Sequence, residues 1–546
     1  MRSFLLGFAL LLSAACRPQA APALTDWLAA GYAERQFDLA TAVDFYRRAL
    51  AADPDNLRVQ GRLLRMRIAA GDTKESLALA RQMEASLPAD GMRGKAARDG
   101  AVVTLRLAVA EMSRGDWLAA AGRLEGAGSQ LLPGVFRLLA LAWIRHASGD
   151  AVGAEKALSE AEQIQGAGSL TKLHRALIHR AAGRMAAARA AFESLGEASA
   201  RGLLAAAAFQ AEAGDAEAAD RQLQRYRLMG GTLDIEDPAS FEPPGSTPAA
   251  GVAEALYAVA ETFHRRRVAM ALIYARLAVM LDPGHHAALL LAGDILAERG
   301  QYDGAEVAYE AVPADSVWQL AAQRRRAEAY AAHGRFEDAT ALLEAAAVAR
   351  PQDPYALGAL GHLLRGEERY EDAVVAYDRA IARIEESPEP RHWRLYYGRG
   401  IAFERTQRWD RAEQDLLKAL EFVPDHAYVL NYLGYSWVDR GEQYERAEEM
   451  LARAVDLQPG DGYIADSLGW VYFRTGRYDE AVEQLERAVA LKPLDPVVNE
   501  HLGDAYWKVG RRLEAGFQWQ RALDFDPDPE RIEGLRQRLD CGLDCS

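Results

Sequence analysis

The sequence predicts an all-α fold, a solenoid of stacked helix hairpins, and three observations lead there. A pattern of 34 residues, L-G-x-x-Y-x-x-x-G-x-x-x-x-A-x-x-x-L-x-x-A-x-x-x-x-P, recurs along the chain. Small residues stand at the two positions where paired helices would meet. Gly and Pro recur at the offsets where helices would end. Leu468, Gly469, Tyr472, Gly476, Ala481, Leu485, Ala488 and Pro493 fill the pattern once. Leu502, Gly503, Tyr506, Gly510, Ala515, Trp519, Ala522 and Pro527 fill it 34 residues later, and Leu433, Gly434, Trp437, Gly441 and Ala447 precede it with one inserted residue.

Each part of the unit has a physical reason. Gly469 and Ala481 let two helices approach closely, while Leu468, Tyr472 and Leu485 fill the space between them. Gly476 ends the first helix and Pro493 stops the second. One hairpin cannot bury its apolar face alone, so neighbours must stack. Following the eighth position upstream gives Gly400, Gly361, Ala327, Gly293 and Val259, then Ala207, Ala176, Ala142, Ala108, Leu64 and Ala30. Second-helix alanines at 219, 188, 154, 120 and 42, with Ser76, support the earlier six, and the count is fourteen repeats.

Interruptions of the period suggest the organisation. Residues 230–248, "GGTLDIEDPASFEPPGSTP", carry Gly, Pro and acids that cannot continue a helix, and the main boundary is expected there. It would separate an N-terminal block, 16–229, from a C-terminal block, 249–527. Shorter breaks lie at 88–100 and 385–390, and residues 528–546 read as a polar capping helix with a cysteine-containing tail. These residues resemble the tetratricopeptide repeat, over nearly all of the chain after residue 15. The resemblance implies a right-handed superhelix with a concave groove lined by the first helices.

Composition narrows the function. Half of the residues are hydrophobic and 26% charged, which is ordinary for a folded chain. With 64 basic against 79 acidic residues the net charge is −15, which argues against a nucleic-acid partner. No apolar run reaches the roughly 20 residues of a spanning helix. The longest one opens the chain: "MRSFLLGFALLLSAAC" has one early charge, Arg2, an apolar stretch and small residues before Cys16, and residues 1–15 read as an export signal. Its end resembles a bacterial lipobox, although Ser13 stands where that motif prefers Leu. This implies lipidation of Cys16, and Arg17 in place of an Asp implies the periplasmic face of the outer membrane. The alternative is cleavage after Ala21-Pro22-Ala23 and a soluble periplasmic chain. Cys541 and Cys545 have the spacing of a short disulfide in an oxidising compartment, or are two loose thiols.

No catalytic residue, metal site or cofactor is expected. Fourteen units of 34 leave no room for a catalytic domain of ordinary size. The chain contains no G-x-S-x-G, H-E-x-x-H or G-x-x-x-x-G-K. His285-His286 is the only adjacent histidine pair; neighbours on a helix diverge by about 100° and chelate poorly. Glu448-Glu449 fits a solvated helix face.

A protein partner would therefore meet a surface. At about 100° per residue, Ala465, Leu468 and Tyr472 point to the core, while Tyr463, Asp466, Trp470, Phe473 and Arg474 share the opposite side. In the resembled family that side lines the groove. Equivalent positions hold Glu500, Asp504, Trp507 and Lys508 in the following repeat, and Tyr428, Asn431, Tyr435 and Asp439 in the preceding one. Arg394, Tyr397, Glu404 and Arg405 stand one repeat further up. Such a mixture suits an extended or helical peptide. The family's two-lysine carboxylate clamp is not evident.

The last repeats, with "NYLGY", "DSLGW" and "HLGDAYW", resemble outer-membrane lipoproteins that act as adaptors of periplasmic carboxyl-terminal processing proteases. The resemblance implies a non-catalytic scaffold, with an assembly factor for polysaccharide secretion, pili or outer-membrane biogenesis as the alternative. Mass measurement of the mature N-terminal peptide is expected to show Cys16 first and acylated; a free N-terminus at Leu24 would identify ordinary cleavage.

Overall fold

The computed structural model describes residues 20–86, 95–127, 132–196, 199–229, 233, 235, 238–241 and 243–545. Cys16 and the export segment lie outside them. Among the described residues there is no strand, and the α-helices pair as the repeat demands. Hairpins one to six are Ala20–Arg35 with Leu39–Ala52, Leu57–Ala69 with Thr73–Ser86, Lys95–Met112 with Trp117–Gly126, Gly134–Ala147 with Ala151–Glu162, Gly168–Ala181 with Met185–Glu193, and Ala200–Glu212 with Ala216–Leu228. Hairpins seven and eight are Pro248–His264 with Val268–Leu281 and His286–Ala297 with Tyr302–Glu310, and the helices Gln319–Ala332 and Phe336–Ala349 stand ninth in chain order. Hairpins ten to fourteen are Tyr355–Gly366 with Tyr370–Ala382, Trp393–Arg405 with Trp409–Phe422, Ala427–Arg440 with Tyr444–Leu457, Gly462–Arg474 with Tyr478–Leu491, and Pro496–Lys508 with Arg512–Asp524. Pro529–Cys541 follows as a closing helix. No described helix is long and apolar enough to cross a membrane.

The local signals act where the sequence places them. Asp461 and Asp495 accept backbone N–H bonds at the starts of two first helices, and Asp38, Asp116, Asp150 and Asp215 do so for second helices. Gly476 turns the chain at φ +80°, a left-handed conformation that glycine adopts without strain. The inserted residue of hairpin twelve is absorbed by Gln443 at φ +49°. A β-carbon on Gly469 would lie 2.6 Å from Leu485 Cγ, and one on Gly503 2.5 Å from the Trp519 ring, so helix spacing rests on this glycine.

Tyr472, expected in the core, is half-buried. Arg477 roofs its ring at 4.3 Å and donates to Glu448 of the preceding hairpin at 2.7 Å. The same clamp recurs as Arg511 over Tyr506 with Glu486, and as Arg335 over Tyr330 with Glu306. Neighbouring hairpins are thus tied by a cation, a ring and an acid as well as by apolar packing.

The chain divides into two compact units, Met1–Leu342 and Leu343–Ser546. The division does not fall in 230–248, where the boundary was expected. Leu233, Ile235 and Phe241 of that segment are buried, Leu233 N donates to Tyr226 Oη, and Arg227 donates to the Ile235 carbonyl. Its Gly and Pro residues break the helix, yet its apolar residues pack as core.

Within the first unit, hairpin seven lies against the first helices of earlier hairpins. Val268–Leu281 packs on Leu57–Ala69 and Lys95–Met112, and Pro248–His264 packs on Gly134–Ala147 and Gly168–Ala181. A single apolar core runs from Ala30 to Ala329. The sequence VAMALIYARLAVML has no polar face, as burial on all sides requires; its one charge, Arg276, donates to the Ala69 carbonyl. The tightest approach is at Trp143, fully buried, whose indole N–H donates to His174 Nδ1 at 2.9 Å. A β-carbon on Gly251 would lie 2.1 Å from that ring. Arg201, Glu254 and His285 link hairpins six, seven and eight: Arg201 Nη2 stands 2.9 Å and His285 Nε2 3.0 Å from Glu254 Oε2. His285 therefore has a structural partner, as its poor chelating geometry implied. Gly251→Ala should lower the unfolding free energy of this unit by about 1–3 kcal/mol, read by chemical denaturation.

Candidate partner-binding site

The predicted groove residues belong to the first helices of hairpins eleven to fourteen, in the second unit. Three rings stack face to face there. Phe473 lies on Trp470 with centroids 4.8 Å apart, and Trp470 lies on the His501 imidazole at 4.0 Å. The i, i+3 spacing of Trp470 and Phe473 puts them on one helix face, and His501 comes from the next first helix. Trp470 and Phe473 are half-buried. The Trp470 indole N–H has no hydrogen-bond acceptor among the described residues.

Beneath this stack the acids are internal. His501 Nδ1 stands 3.0 Å from both Asp466 carboxylate oxygens, and both residues are buried. Glu500 pairs with Arg531 at 2.9 Å and Arg538 at 3.2 Å, and Asp504 pairs with Arg538 at 3.0 Å while accepting the Trp519 indole N–H. Burial opposes a charged imidazole, but Asp466, seconded by Glu500 and Asp504, outweighs it and holds the His501 pKa above its ordinary value. Burial raises the Asp504 carboxyl against the pull of Arg538. Burial, with Asp439 and Asp466 nearby, pushes the Tyr435 hydroxyl up to about 12. With His501 protonated, the three acids face three cations.

Asp466 and Asp504, expected to meet a partner, are thus engaged by His501 and by the closing helix. Trp507 is withdrawn too: it packs on Trp519 at 5.5 Å, and Gly542 approaches so closely that a β-carbon would lie 1.9 Å from its ring. Arg405 lies over Tyr370 at 5.2 Å, and Arg474 reaches Tyr444 Oη at 3.3 Å and the Asp439 carbonyl at 3.5 Å. In both cases the arginine meets the aromatic that opens the preceding second helix, as Arg440 does over Trp409 at 4.7 Å. These arginines join repeats to one another. Lys508 is exposed, Arg394 is exposed beside the Trp393 ring, and Tyr397 is half-buried edge-on to Tyr432. Asn431 is half-buried, with its side-chain oxygen unpartnered. Tyr428 and Tyr463, each 49% exposed, add an aromatic edge at the helix starts. His501, Arg531 and Arg538 went unnoticed in the sequence, although Arg531 and Arg538 stand 34 residues after Val497 and Asp504, in the repeat register.

The closing helix ends at Cys541, which is disulfide-bonded; the Cys545 side chain lies outside the described residues. No group of three or more metal-ligating side chains occurs among the described residues.

Comparison with family models matches 359–427 to the tetratricopeptide repeat and 469–510 to the TPR repeat. These segments are tetratricopeptide repeats. Repeats of this kind serve as protein-interaction scaffolds. No curated protein sequence matches the chain. Solved structures with a similar fold include the Cut9–Hcn1 hetero-tetramer of the APC/C, at 14% identity and TM-score 0.41, covering 96% of this chain and 97% of that one. Yeast Tom70 is 13% identical with TM-score 0.36, covering 81% and 95%, and Pseudomonas aeruginosa PilF is 22% identical with TM-score 0.30, covering 34% and 82%. Each likeness is one of fold alone.

The raised His501 pKa has a definite sign. Its stabilisation is fully present below the unfolded value of 6.5 and is lost as pH rises through the higher folded value. Thermal melting should therefore show the second unit weakening from pH 6 to pH 9, and His501→Phe should flatten that dependence.

Proposed function

We propose that this chain is a non-catalytic adaptor whose second unit holds a protein partner along the first-helix face of hairpins eleven to thirteen. The observation that carries the reading is the half-buried Trp470–Phe473 pair, whose stacked rings remain partly exposed on a rigid charged base. A rigid aromatic face gives contact area at little entropic cost, as interface anchors do. In the first unit, by contrast, hairpin seven packs against the first helices of hairpins two to five. Contact along one helix face suits an extended or helical segment of the partner.

The export signal and Cys16 support a lipid-anchored chain on the periplasmic face of the outer membrane. There it would recruit a carboxyl-terminal processing protease and its substrates, raising their effective concentration on one surface. The test is affinity capture with the full chain from detergent-solubilised envelopes. Recovery of a serine protease is the expected result; recovery of a barrel or pilus component instead would replace the reading with an assembly factor. Phe473→Ala should weaken capture by about thirtyfold, the loss of about 2 kcal/mol that marks an interface anchor, with melting unchanged. Equal capture by the variant would remove this face from the interface.

A further inference from the structure

The first unit contains a cavity of about 310 Å³ between hairpins six to nine. Leu204, Leu290, Trp318 and Tyr257 supply much of its wall, and the charged groups that face it are almost all paired. Arg325 stands 3.0 Å from Asp294, and His264 Nε2 3.0 Å from Glu298. Arg201 holds Glu254 through three donor contacts of 2.9–3.2 Å, and its remaining nitrogen, Nη1, is shut off from solvent. The exception is Glu261. Its carboxylate accepts the Tyr257 hydroxyl at 2.8 Å, lines the cavity, and forms no ion pair among the described residues.

Glu261 is exposed at the cavity mouth, and its carboxylate has no counter-ion among the described residues. Partial desolvation by the surrounding wall raises its pKa, with Glu254 adding to the shift and the Tyr257 hydroxyl, Arg201 and His285 reducing it. The site offers a cation an unpaired, oriented acid with apolar side chains beside it, so an ammonium head and a methylene chain can both be met. An anion would meet Arg201 and Arg325 only after displacing Glu254 and Asp294. The volume is at the small end for ligand sites, enough for a small molecule or one long side chain.

We propose that this cavity binds an alkylammonium group, with Glu261 as its counter-ion and Leu204, Leu290 and Trp318 against its methylene chain. The Tyr257 hydroxyl fixes the carboxylate's orientation, so Tyr257 is a positioning residue. The ammonium has two sources with the same chemistry: a free primary amine, or a lysine side chain presented by a partner protein. The site is separate from the Trp470 face and stands whether or not that face binds a partner.

Isothermal titration of the full chain at neutral pH tests this with n-pentylamine and a pentapeptide containing one lysine, against n-pentanol and the norleucine pentapeptide. Saturable binding of either cation, with no binding of its neutral counterpart, is the expected result; pentylamine alone identifies a free amine, the peptide alone a presented side chain. Glu261→Gln should weaken binding at least tenfold, whereas Glu298→Gln, at an acid outside the lining that is paired with His264, should not. Glu261→Asp keeps the charge and should retain measurable binding, which separates loss of the counter-ion from loss of fold; melting is recorded for each. Neutral probes binding as well as the cations, unchanged binding by Glu261→Gln, or no saturable binding of either cation would overturn the proposal.

Discussion

Leu485 occupies the space that a β-carbon on Gly469 would need, and that contact sets how closely two helices of a hairpin lie. The same exclusion holds between Gly400 and Leu416, Gly434 and Leu451, and Gly503 and Trp519. Where the partner is aromatic, as with Gly293 and Tyr309 or Gly361 and Tyr377, the missing side chain becomes a seat for the ring. In earlier hairpins buried Ala207, Ala176, Ala142 and Ala108 stand at that position. Close pairing leaves each hairpin with an apolar flank it cannot cover, and stacking follows from the need to cover it. The clamps of Arg477, Arg511 and Arg335 then tie three of the hairpins to their predecessors.

The two units use their first helices differently. In the first, those of hairpins two to five are covered by hairpin seven, whose second helix carries a single charge, and one core results. In the second, acids occupy that side, and their partners arrive from the next hairpin and the closing helix. His501 neutralises Asp466, and Arg531 and Arg538 neutralise Glu500 and Asp504. Isolated carboxylates could not be buried there; a balanced network can be. The consequence for function is a stiff base on which Trp470 and Phe473 remain partly exposed.

Much of this was legible in the sequence. All fourteen hairpins were read from one pattern, including the six whose eighth position had drifted to alanine or leucine, because the spacing of small and apolar residues survives when the signature residues do not. In the segment 230–248, Gly, Pro and acids signal a break in helix, whereas the burial of Leu233, Ile235 and Phe241 depends on what the segment packs against, and the division between units falls elsewhere. The groove positions share a face, as the helical period requires, but several of their side chains find partners about 30 or more positions away. Arg531 lay in a stretch read simply as polar.

Periodicity therefore carries the class of fold, the pairing of helices and the sidedness of each residue, since these depend on short-range geometry that repeats every 34 positions. It says nothing of which faces stay open. Exposure of Trp470, engagement of Asp466, the packing of hairpin seven and the isolation of Glu261 arise where distant segments meet. Such contacts follow from how the hairpins stack in space, which no local pattern encodes.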